Sequence, residues 1–90
     1  TFKNFDEVMK RANDNDLGLC SYVYTTDLKK ANEASEILET GCVAVNTPAV
    51  AVAEAPFGGI KQTGYGREGG SMAIKDYLNI KYTHFGISYE

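Results

Sequence analysis

The residues of this 90-residue chain that could do chemistry fall into a few groups. Gly64-Tyr65-Gly66-Arg67-Glu68-Gly69 spells G-x-G-x-x-G. In a dinucleotide-binding unit such glycines let the backbone approach a pyrophosphate at a helix N-terminus. That use also requires a strand ending just before the first glycine and an acid about 20 residues further on for the ribose. Here Phe57 to Thr63 comes before it with Gly58-Gly59 in its middle, and no Asp or Glu lies between Asp76 and Glu90. The stretch therefore reads as a glycine loop folding tightly ahead of a helix.

A thiolate and an imidazole can act together as nucleophile and base. The candidates are Cys20, Cys42 and the single histidine, His84. Both cysteines sit inside apolar, strand-like stretches, where Cys behaves as a small buried hydrophobe. His84 reads as a half-buried strand residue. Without a C-x-x-C pair no zinc site is expected, and two cysteines are too few for a disulfide framework; the chain reads as reduced and cytoplasmic. Glu33, Glu36 and Glu39 mark a solvated helix face, Glu54 a loop surface, and Asp6-Glu7 the favourable end of a helix dipole.

These residues need elements to position them. Asn4 and Glu7 have capping-box spacing, and Phe5, Val8, Met9 and Ala12 then form one apolar helix face. Asn13-Asp14-Asn15-Asp16 ends that helix, because short polar side chains compete for its backbone. Leu19 to Thr25 is rich in β-branched and aromatic residues and predicts a strand. Thr26 or Asp27 caps a second helix with Leu28, Ala31, Ala34, Ser35 and Leu38 inward and Gly41 as its C′ residue. Cys42 to Val45 is a short apolar run, as in a strand covered on both faces. Strand, helix and strand in that order make a βαβ unit with parallel strands and a right-handed crossover. From Asn46 to Gly70 the periodicity dissolves into a long Gly/Pro loop. Ser71 then caps a short helix with Ala73, Ile74, Tyr77 and Leu78 inward, and Ile80 to Tyr89 reads as a final strand. The fold class is α/β.

Composition bounds the rest. A chain of 9.8 kDa makes one small domain at most. A net charge of −3 offers no bulk attraction to nucleic acid or an anionic membrane. No apolar run approaches the ~20 residues of a membrane helix. Six tyrosines exceed what so small a core hides, which suggests a surface covered by a partner. The chain opens on Thr1 at a helix start, as the continuation of a longer polypeptide would.

Pro56-Phe57-Gly58-Gly59-Ile60-Lys61-Gln62-Thr63-Gly64-Tyr65-Gly66-Arg67-Glu68 resembles the C-terminal signature of the aldehyde dehydrogenase superfamily, P-F-G-G-x-K-x-S-G-x-G-R-E, with Thr63 keeping the hydroxyl of the usual serine. The flanks agree. Ala12-Asn13 with Leu17-Gly18-Leu19, Tyr24-Thr25-x-Asp27, and Gly41-x-Val43-x-Val45-Asn46 match family motifs in order. Tyr77-Leu78-x-Ile80-Lys81-Tyr82 resembles the tail of the succinate-semialdehyde branch.

The resemblance implies an enzyme that oxidises an aldehyde, with semialdehydes among the candidates, to a carboxylate with NAD or NADP. A cysteine thiolate forms a thiohemiacetal and then a thioester, which a glutamate-activated water hydrolyses. In the family the nucleophile, the base and the cofactor site all lie upstream, so no catalytic, cofactor-binding or metal residue is assigned here. The isolated 90 residues are expected to be inactive. Residues 1–78 would be the end of the catalytic domain and residues 79–90 the oligomerisation strand of a homodimer or homotetramer. Phe57 would line the substrate pocket, with Asn46, Ala51 and Val52 in the stretch that forms its mouth. Where the succinate-semialdehyde branch holds the substrate carboxylate with a serine, this chain has Ala51-Val52, an apolar wall that favours a less polar aldehyde. Arg67, Ile80 and Tyr82 would lie at the subunit interface, with Asn79 where the usual glutamate partner of Arg67 stands. The alternative is a truncated, non-catalytic relative acting as an oligomerisation module.

Overall fold

The computed structural model describes residues 1–88; Tyr89 and Glu90, the end of the expected final strand, lie outside the described residues. Helix α1 spans Phe5–Asn13, and the Asn4 side chain accepts a hydrogen bond from Glu7 N. The capping box closes differently from the motif, because the Glu7 carboxylate accepts from Lys3 N rather than from the cap residue. The polar run after Asn13 ends the helix as expected. Helix α2, Leu28–Ile37, is capped by Asp27, whose carboxylate takes the backbone N–H of both Lys29 and Lys30.

Strands β1 (Leu17–Gly18) and β2 (Cys20–Val23) precede α2, β3 (Cys42–Val45) follows it, and β4 (Ile60–Lys61) lies in the Gly/Pro loop. β2 and β3 pair in parallel, with Cys20 opposite Cys42 and Val23 opposite Val45. The βαβ unit is therefore present. The loop, expected to be without regular structure, folds back instead. β4 pairs antiparallel with β1, and Phe57 bridges Glu68 through two backbone hydrogen bonds of 2.6 and 2.7 Å.

The core is slight. Ala31, Ala34, Leu38 and Ala44 are its buried apolar residues among those described. Leu28, expected inward, is 75% exposed, and Ser35 is exposed. β3 buries only Ala44 and is not covered on both faces. Gly41 is not the C′ residue of α2, which ends three residues earlier in an extended Leu38. Its glycine character has another cause. A Cβ there would fall inside the Gly58 carbonyl and 2.9 Å from Gly59 Cα, so only glycine lets the signature loop lie against β3.

The short C-terminal helix is a 3₁₀ turn, Ala73–Tyr77, and no side chain caps it. Ile74, Tyr77 and Leu78, expected inward, are exposed. Residues 79–88, expected as the first part of a final strand, form no strand.

The radius of gyration is 19.6 Å, against about 12 Å for a compact domain of this length. The accessible surface is 7631 Å², where a compact monomer of this mass would expose about 5,200 Å². The excess is roughly 2,400 Å².

Candidate functional site

The signature loop is held by its own polar residues. The Thr63 hydroxyl accepts a 2.8 Å hydrogen bond from Gly18 N, so serine or threonine there ties the loop to β1. The Lys61 ammonium donates to the carbonyls of Asn13 (3.0 Å) and Asn15 (3.1 Å) and pairs with Glu39 at 3.0 Å. It thus places a cation on the C-terminal end of α1. Asn13 also joins the two helix ends, donating to Ile37 O and accepting from Glu39 N. Sequence reasoning missed this knot. The available signal was the lysine of the signature pattern, with Asn13 in a second family motif.

The expected pocket residues divide. Ala51, Val52 and Phe57 line one shallow cleft of about 240 Å³, together with Glu68 and Gly69. Asn46 is elsewhere. Its side chain accepts from Thr25 N and donates to Thr25 O, both at 2.9 Å, which locks the end of β3 to the end of β2. Asn46 also holds a left-handed φ of 57°, which asparagine tolerates better than most residues.

Phe57 also borders a larger cleft of about 340 Å³, with Arg67, Asp76 and Tyr77. Arg67 donates from Nη1 to the carbonyls of Gly59 (2.9 Å) and Gly66 (2.7 Å). Its guanidinium thus braces its own loop and makes no ion pair among the described residues. Asp76 accepts from the backbone N–H of Arg67 at 2.7 Å. Ile80 and Tyr82 stand exposed on the tail, where the Tyr82 hydroxyl meets His84 Nδ1 at 3.1 Å. No hydrogen bond joins His84 to either cysteine among the described residues.

The fit of a nicotinamide dinucleotide to Gly64–Gly69 can be tested on this geometry. The Asp76 carboxylate packs against Gly66, its Oδ2 2.7 Å from where a Cβ on that glycine would stand, and it accepts the Arg67 N–H. The loop's anion position is filled from within the chain, and a 3₁₀ turn rather than an α-helix follows. These residues do not fit the cofactor. No cluster of three metal-ligating side chains exists among the described residues. No helix among them is long and apolar enough to cross a membrane.

Comparison with known proteins decides the family. The aldehyde dehydrogenase family model matches residues 1–83. The chain belongs to the aldehyde dehydrogenase family. It is 51% identical to a 3-sulfolactaldehyde dehydrogenase of Pseudomonas putida over 85 residues, covering 94% of this chain and 18% of that protein. It is 48% identical to a succinate semialdehyde dehydrogenase of Acinetobacter baylyi with the same coverage. Among solved structures, an E. coli NADP-dependent enzyme superposes with a TM-score of 0.86 at 45% identity, over 96% of this chain and 18% of that one. An aldehyde dehydrogenase from Bacillus cereus, solved as an NAD⁺ complex, gives 0.84 at 40% identity, over 89% of this chain and 16% of that one. The aldehyde dehydrogenase segment described here therefore spans less than a fifth of the relatives it matches.

Proposed function

We propose that this segment completes the substrate pocket and the subunit interface of an NAD(P)⁺-dependent aldehyde dehydrogenase. The oxidation of aldehyde to carboxylate runs through a thiohemiacetal and thioester on a cysteine outside this chain. The observation that carries the reading is the cleft in which Phe57 meets Ala51 and Val52. An aromatic ring and two aliphatic side chains, with no hydroxyl, suit the apolar part of an aldehyde better than a carboxylate. Asn46 acts on that cleft indirectly, by fixing where the loop leaves β3. The tail carrying Ile80 and Tyr82 serves as a strand that a second subunit completes, in a homodimer or homotetramer.

The test is turnover. The full polypeptide should reduce NAD⁺ or NADP⁺ with an aldehyde, and should prefer an alkyl aldehyde to succinate semialdehyde of similar length. The 90 residues alone should show none. Turnover by the isolated segment, or none by the full polypeptide with either cofactor across such a series, overturns the reading.

A further inference from the structure

Cys20 and Cys42 are direct register partners across the parallel β2–β3 pair. In a parallel ladder, register partners carry their side chains on the same face, about 4.8 Å apart in the hydrogen-bonding direction. That lies within the window of about 4.4–6.8 Å between Cα atoms that a disulfide spans. Both thiols are free and half-buried. They sense each other as well: after partial burial, the adjacent Cys42 is the next cause that raises the pKa of Cys20. Cys42 Sγ also lies 3.8 Å from the Gly58 carbonyl, which orients it beside the signature loop.

We infer that Cys20 and Cys42 form a redox-active dithiol that a small disulfide, such as glutathione disulfide, converts to an intrachain disulfide. One protein thiolate attacks the small disulfide and expels one thiolate, leaving a mixed disulfide on the protein. The second cysteine, as thiolate, attacks the protein sulfur of that mixed disulfide and expels the other small thiolate. Two S–H bonds are lost and one S–S bond is gained on the protein. The two protons go to the released thiolates, and two electrons pass to the small disulfide. The new bond staples β2 to β3 behind the substrate loop, and a reductant reverses it. The inference does not depend on the catalytic reading.

The experiment uses the full polypeptide, folded, treated with glutathione disulfide, alkylated and digested with trypsin without reduction. Lys29 and Lys30 separate the two cysteines into different peptides, so a crosslink is unambiguous by mass. The expected result is one crosslinked pair, lighter by two hydrogens than the sum of the free peptides, lost on reduction. Cys42→Ser should leave Cys20 carrying a glutathione adduct and no crosslink. A thermal transition checks that each sample is folded, and the wild-type result stands alone if the variant is not. Separate glutathione adducts on both cysteines, full alkylation of both after treatment, or a crosslink from Cys20 to some other cysteine overturns the inference.

Discussion

The ammonium of Lys61 lies 3.0 Å from the carbonyl oxygen of Asn13, although 48 positions separate them in sequence. This contact ties the signature loop to the end of α1, and through Asn13 to the end of α2. The most readily noticed motif of the chain thus acts first as structure. Its lysine is a helix cap, its threonine anchors β1, and its arginine braces the loop from inside.

Lys61→Met in the full polypeptide should therefore lower stability by about 1–3 kcal/mol, the range for hydrogen bonds donated by a charged group. The Lys61 side chain is only 24% exposed, so water replaces these partners poorly. Glu39→Gln, which removes only the more exposed half of the ion pair, should cost under about 1 kcal/mol. Urea midpoints of the two variants check the ranking, and equal effects would contradict the capping role.

Gly41→Ala should be far more damaging than its position on the surface of the motif suggests. The added methyl meets backbone, which cannot rotate away. The expected loss is about 3 kcal/mol or more, read as insoluble expression or a collapsed melting temperature. A soluble variant with an unchanged melting temperature would show that the loop can move off β3.

Asn46 separates backbone from side-chain effects. Asn46→Gly keeps the left-handed φ of 57° but loses both hydrogen bonds to Thr25, while Asn46→Ala loses the bonds and strains the backbone as well. Alanine should thus be worse than glycine by about 1 kcal/mol in thermal unfolding.

Val52→Ser would put a hydroxyl into the cleft beside Phe57. The expected change is a rise of about 5–10-fold in kcat/KM for a carboxylate-ended aldehyde relative to an alkyl one, the worth of one such hydrogen bond. Phe57→Ala should raise KM for alkyl aldehydes about 10-fold or more, by removing buried apolar contact. Steady-state kinetics on the full polypeptide decide both.

Burial, and then the neighbouring Cys42, push the Cys20 thiol above its ordinary 9.0. The fold thus favours the protonated thiol. This contribution to stability is complete below pH 9.0 and is lost as pH rises through that value toward the higher native one. The rise of the Cys20 alkylation rate with pH should have its midpoint above pH 9.0, and Cys42→Ser should move that midpoint to lower pH. An unchanged profile would mean that the two sulfurs do not interact.

Much of this segment was legible in its residues. Asn4 and Asp27 mark helix starts because short polar side chains reach the free N–H groups just ahead of them. The β-branched runs and the helix between them specify parallel strands, because so long a crossover leaves the second strand running with the first. The signature carries the family. What sequence could not place were contacts made across long separations: Lys61 on Asn13, Thr63 on Gly18, and the Gly58 carbonyl against Gly41. Each depends on how the loop folds back, and local propensity does not contain that path. The inward stripes assigned to Leu28, Ile74, Tyr77 and Leu78 show the converse. Periodicity marks faces that want burial, but burial itself requires an opposing surface, and roughly 2,400 Å² of this chain's surface has none within it.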